Sequence, residues 1–105
     1  MTRIKYSLIY DEIVVDQIRS IDKKFWQLIK QTIEDQLSFQ PNFETKNRKP
    51  LIHPPIDDKW EIRFGPNNMF RVFCTVHEDT HEVWIHMVAK KINNKLYIGE
   101  KEIEL

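Results

Sequence analysis

The chain has 105 residues, 16 basic and 16 acidic side chains and a formal net charge of zero, with 41% hydrophobic and 30% charged residues. That profile predicts one soluble domain spanning 1–105, with material for a single core. It argues against disorder, since 11% of the residues are aromatic, and against a helical membrane span, since no apolar run approaches the roughly 20 residues required. Residues 1–6 lack the apolar stretch of a signal peptide. The single cysteine, Cys74, rules out an internal disulfide and a thiolate zinc cage, and a reducing cytoplasm is the expected location. Nonspecific coating of nucleic acid calls for excess Lys and Arg, so a neutral chain must use a local patch. Residues 44–75 carry six basic against four acidic side chains, and 76–105 carry four against six.

In residues 3–10, Ile4, Tyr6, Leu8 and Tyr10 alternate with Arg3, Lys5 and Ser7, the pattern of a strand. Helical spacing follows in Ile13, Val14, Ile18 and Ile21, with Asp11 and Glu12 suited to a helix start. A second helix is predicted from Ser20 or Asp22, either of which can cap it, to Leu37. Its stripe is Phe25, Leu28, Ile29, Ile33 and Leu37, and the short connection predicts a helical hairpin. Residues 38–58 contain Pro41, Pro50, Pro54 and Pro55, which oppose a long helix or a central strand, so this segment reads as a loop. Lys46, Arg48 and Lys49 make it a candidate polyanion contact. From residue 59 onward the pattern is β: a strand over 59–64, a turn at Gly65-Pro66-Asn67-Asn68, a strand over 70–76, a turn over 77–80 and a strand over 81–88. The polar tail, 90–105, is expected as a short strand or helix on an edge. The order predicts an α+β fold: an N-terminal strand and two-helix hairpin packed on one face of a mostly antiparallel four-stranded sheet. The other face is left open for function.

Side-chain parity says what that face carries. A first hairpin loop centred on Asn67 sets Arg63 opposite Arg71 and Phe64 opposite Phe70. Like charges directly opposite are destabilising unless an anion is expected between them. A second turn at Glu78-Asp79 pairs Val72 with Ile85, Cys74 with Val83 and Phe70 with Met87 as core. It pairs Arg71 with His86 and Phe73 with Trp84 on the open face. Arg63, Arg71, His86, Phe73 and Trp84 together combine phosphate forks with stacking rings, as single-stranded nucleic acid binding requires. The competing arrangement packs Phe73 and Trp84 under the tail and pairs the arginines with Glu61 and Glu82. His77, His81 and His86 with Glu78, Asp79 and Glu82 scatter over a turn and both strand faces, so no metal site is predicted. His53 reads as a loop residue, Cys74 as an inert core thiol and Trp60 as a core anchor.

Trp60-Glu61-Ile62-Arg63-Phe64-Gly65, then Phe70-Arg71-Val72-Phe73, then Val88-Ala89-Lys90-Lys91 and Tyr97 resemble the RelE/ParE toxin superfamily, in the same element order. The resemblance implies the toxin of a type II toxin–antitoxin pair. RelE-like members are small ribonucleases that cut messenger RNA, often on the ribosome, whereas ParE-like members share the fold and poison DNA gyrase. Carried over by position, the site residues are Arg63, Arg71, Lys91 with its neighbour Lys90, and Tyr97, which stacks on a base or shuttles a proton. The implied partners are a cognate antitoxin, messenger RNA and the ribosome, with no cofactor, metal or membrane. Glu61 stands where the family has a second strand lysine and is expected to repel the scissile phosphate. Lys91 stands where an arginine is common. Chemistry rather than resemblance adds His86, because imidazole, with its ordinary pKa of about 6.5, suits acid–base work at neutral pH. The alternatives are a gyrase inhibitor and a catalytically degenerate, partner-binding member.

Overall fold

The computed structural model describes residues 4–52, 55–99 and 101–103; Arg3, His53, Pro54 and the chain's last two residues, all assigned roles above, lie outside them. In chain order the elements are β1 (Ser7–Tyr10), α1 (Glu12–Arg19), α2 (Trp26–Leu37), β2 (Arg48–Ile52), β3 (Pro55–Phe64), β4 (Phe70–His77), β5 (Glu82–Ile92), β6 (Lys95–Ile98) and β7 (Lys101–Ile103). The strands form one sheet in the order β2-β3-β4-β5-β6-β7, antiparallel along that path, and β1 joins it parallel to β5. The fold class is the expected α+β. The expected four strands gain β2 at one edge and the β6–β7 hairpin at the other.

The helices start where short polar side chains permit. Asp11 occupies the N-cap position of α1. Asp22 accepts a hydrogen bond from the Lys24 N–H at 3.1 Å and opens the 3₁₀ turn Lys23–Phe25 that runs into α2. The Trp26 indole N–H closes this connection on the Ile21 carbonyl at 2.8 Å. Val14 of α1 and Ile29, Ile33 and Leu37 of α2 bury against Ile62, Phe70, Val72, Cys74, Val76, Val83, Ile85 and Val88 of the sheet. Leu28, predicted on the same stripe, is exposed, because it lies one residue off the 29–33–37 line. Trp60 packs against the core as expected.

Strand β5 has two partners on one edge: β1 covers positions 82–85 and β6 covers 90–92. Between them the edge would be bare. The Asp11 N–H donates to the Ile85 carbonyl at 3.0 Å, and the Val88 N–H donates to the Gln17 side-chain oxygen at 2.8 Å. The buried Gln17 of α1 thus stands in for a missing strand, as the rule that buried backbone groups find partners demands.

The first hairpin has the expected register, with Arg63 opposite Arg71 and Phe64 opposite Phe70. Its turn depends on Gly65, whose φ of +83° is glycine territory and whose missing Cβ would lie 2.5 Å from the Phe70 ring. That ring meets Phe25 and Phe64 at centroid distances of 5.1 and 5.6 Å.

Two sequence expectations are corrected. The segment 38–58 is not all loop. Strand β2 starts at Arg48 and includes Pro50, and β3 starts at Pro55 rather than 59. A proline is compatible with β2 because β2 is an edge strand. The second hairpin also has a different register. His77 pairs with Glu82 across a four-residue turn, and the register then shifts between Phe73 and Cys74. Val72 therefore meets Val88, Cys74 meets Ile85 and Phe73 meets Met87. The expected pairs Phe70–Met87, Arg71–His86 and Phe73–Trp84 do not form, and Met87 falls on the open face with Phe73.

Candidate nucleic-acid interface

On the face of the sheet turned away from α1 and α2, alternation along β3 presents Glu61 and Arg63, and β4 presents Arg71 and Phe73. The two arginines are direct cross-strand neighbours. What makes this tolerable is Glu61. Its Oε1 lies 2.5 Å from Nε of Arg63 and 3.6 Å from Nη1 of Arg71. The side chains of Glu61 and Arg71 are 7% and 8% exposed, against 48% for Arg63. Arg71 is further fixed by donating from Nε to the Asn68 carbonyl at 3.1 Å. Burial pushes the Arg71 guanidinium below its ordinary pKa; Glu61 opposes this and Arg63 adds to it. One arginine is thus built in and the other reaches solvent, with a carboxylate between them.

Lys91 belongs to the same face. Ala89 pairs with Arg71, and Lys91 is two residues further along β5. Arg71 and Lys91 line one cleft of about 560 Å³ between the β3–β4 and β5–β6 turns. No carboxylate pairs with Lys91 among the described residues.

The remaining candidates separate. Lys90 pairs with both Phe70 and Tyr97, and Phe70 is in the core, so Lys90 and Tyr97 stand on the helix side of the sheet. The resemblance groups Tyr97 with Arg71; the strand pairing puts the sheet between them. Arg48 also points to the helix side. It is buried, donates from Nε to the Phe43 carbonyl at 2.8 Å and from Nη1 to the Gln36 carbonyl, and burial lowers its pKa. Lys49 pairs with Glu44 at 3.0 Å, and Lys46 is exposed. The expected three-residue polyanion contact is therefore not one patch: its arginine is a structural brace.

Phe73 is buried and offers no stacking face. Trp84 is 43% exposed, but it pairs with Thr75 rather than Phe73, lies edge-on to His77 at 5.6 Å and donates its indole N–H to Glu82 at 3.4 Å. His86 shares a 2.7 Å hydrogen bond with the Thr75 hydroxyl, four residues along β4 from Arg71. Burial lowers its pKa, Lys59 and His77 push the same way, and Asp11 opposes them. Cys74 is the expected core thiol, its pKa pushed up to about 12 by burial. Among the described residues no group of His, Cys, Asp and Glu could hold a metal ion, and no helix is long and apolar enough to cross a membrane.

Glu61 takes a larger part in the site than the resemblance gave it. Expected to repel phosphate and, in the competing arrangement, to pair with the arginines, it is the counter-ion that lets the two stand together. The signal was its spacing: two residues before Arg63 on a strand puts both on one face.

No protein-family model matches the sequence, and no curated protein matches it either. Solved structures do. A chain of the toxin–antitoxin complex RelBE2 from Mycobacterium tuberculosis superposes with a TM-score of 0.68 at 14% identity, covering 86% of this chain and 95% of that one. The archaeal RelE–RelB complex from Pyrococcus horikoshii gives 0.66 at 18% identity, covering 85% and 98%. The isolated E. coli RelE toxin gives 0.64 at 18% identity, covering 84% and 86%. The chain has the RelE toxin fold. Within that fold, the helix-free face of β3, β4 and β5 carries Arg63, Arg71 and Lys91 together, while Lys90 and Tyr97 stand on its other side.

Proposed function

We propose that this chain is the toxin of a type II toxin–antitoxin pair and acts as a metal-independent endoribonuclease on messenger RNA. The observation that carries this reading is the cross-strand pair Arg63–Arg71 around one carboxylate. Three cations, Arg63, Arg71 and Lys91, face one anion, Glu61. RNA self-cleavage joins the 2′-hydroxyl oxygen to the adjacent phosphorus and breaks the bond to the 5′-oxygen. One proton must leave the hydroxyl, charge must be held on the phosphorane, and one proton must reach the leaving oxygen. Arg71, held in place by Asn68 and Glu61, and Arg63 grip the phosphorane oxygens as forks. When phosphate engages the guanidiniums, Glu61 becomes an acceptor for the hydroxyl proton. Lys91 is the donor to the leaving oxygen. The similar structures include complexes of RelE with RelB, which supports a protein antitoxin as the partner of this chain. The ribosome is the expected place of action.

The test is in vitro translation with 5′-end mapping of the message. Cleavage by the wild type that falls by about 100-fold or more in Arg71→Ala, the size of effect expected for removing one preorganised donor, with an unchanged circular dichroism spectrum, supports the nuclease. A second reading draws on the same carboxylate: with both arginines already paired to Glu61, a catalytically silent member that binds only its partner needs nothing more. Intact message with inhibited supercoiling identifies a gyrase inhibitor; intact message, normal supercoiling and unimpaired growth identify the silent member.

A further inference from the structure

Two clefts lined by described residues differ in charge. One, beside β1 and α2, is lined by Lys5 and Tyr10 but also by Glu34. The other, between the β3–β4 and β5–β6 turns, contains Arg71 and Lys91 and, among the described residues, no carboxylate. Its volume, about 560 Å³, lies within the range of small-ligand sites, about 300–1,000 Å³. Met69 and Ile92 supply apolar surface, and Ile92 is 42% exposed. Pro66 and three asparagines, Asn67, Asn93 and Asn94, complete the lining. Each amide offers two donors and an acceptor.

The identity of these three residues asks for an explanation. All have positive φ, +53°, +50° and +66°, and the turn from Ile92 to Lys95 needs positive φ at both central positions. Glycine serves that conformation at least as well. The chain uses Asn at all three, and all three line a cleft that also holds Arg71 and Lys91. An apolar surface for a ring, amides in the same lining and cations for the neighbouring phosphate are the parts from which proteins read an unpaired base.

We propose that this cleft is a nucleobase subsite: it takes one unpaired base of an RNA strand whose phosphate is held by Arg71 and Lys91, and Asn67, Asn93 and Asn94 read the edge of that base. The inference rests on the RNA reading above and adds its sequence preference. Cleavage then falls beside a preferred nucleotide, and the preference resides in the two turns rather than in the arginine pair.

The experiment measures anisotropy of four labelled 2′-O-methyl homopolymers, which lack the nucleophile, with the wild type and with Asn67→Gly/Asn93→Gly/Asn94→Gly. Glycine keeps the positive φ and removes only the amides. The expected result is a wild-type ratio of about tenfold between the best and worst base, as one amide–base edge pair supplies, falling to within about twofold in the variant at unchanged melting temperature. Should the triple variant fail to fold, Asn93→Asp and Asn94→Asp, singly, must each shift the base ranking. Equal affinity for all four bases in the wild type, or the same ratio in the variants, overturns the subsite while leaving the nuclease standing. A wild-type preference lost in the variant, with no message cleaved, keeps the subsite and removes the nuclease. Failure to bind any of the four removes both.

Discussion

The two faces of the sheet solve opposite problems. At its centre the helix side is apolar and closed: Phe70, Ile62, Val72 and Ile33 touch almost no water, and their packing stabilises the chain. The other side is polar and nearly as tightly organised, yet its central members are Glu61 and Arg71. An ion pair taken out of water roughly breaks even against its desolvation cost, so burying Arg71 contributes little to stability. What it provides is a guanidinium whose position is set before any ligand arrives. The comparison teaches that residues of equal burial on the two faces should respond to mutation in different observables.

The largest expected effect is on the closed side. Phe70→Ala should cost about 3–5 kcal/mol in urea denaturation, because the ring also fills the space left by Gly65, and any residual folded protein should keep its affinity for RNA. A comparable loss of RNA affinity without loss of stability would break the distinction between the faces. Gln17→Leu tests the seam between them. It leaves the buried Val88 N–H without its acceptor, for an expected cost of about 1–3 kcal/mol and faster hydrogen exchange at Val88. Glu61→Gln should move the two observables in opposite directions. Stability falls by about 1–3 kcal/mol as the buried Arg71 loses its charged partner, while RNA binding tightens and the salt slope steepens by about 0.7 for one more effective cation. Stability and affinity falling together would make Glu61 purely structural.

The smallest effect concerns pH. His86 is held below its ordinary value by burial and by Lys59, so the folded state binds the proton less readily than the unfolded chain. As pH falls through about 6.5 the unfolded state is protonated first, and stability is lost. The loss levels off below the folded-state value. His86→Gln, which keeps a hydrogen-bonding group beside Thr75, should flatten the pH 7 to 5 stability profile; an unchanged slope would show that another group carries it.

The parts of this fold legible in sequence are those governed by local pattern. The 29–33–37 spacing located α2, and Gly65-Pro66-Asn67-Asn68 fixed the β3–β4 register to the residue, so the arginine pair could be read without coordinates. The β4–β5 register could not. Its turn is four residues long, and the shift beside His86 has no signature in an alternating run, so the core positions of β4 were assigned correctly while their partners were not. Arg48 illustrates a second limit: a basic residue among prolines looks solvated, and only the folded chain brings the Gln36 carbonyl of α2 and the Phe43 carbonyl of the following loop to it. Tyr97 illustrates a third. Distance along the chain from Lys91 does not say which side of a strand a residue takes once β6 has paired.

The divided edge of β5 governs the order in which this molecule can be completed. Strand β1 precedes its partner positions 82–85 by more than 70 residues and cannot pair until they are made, and Gln17, which seals the seam, waits with it. A chain cut before residue 82 therefore lacks both the partner of β1 and Lys91 of the cationic face.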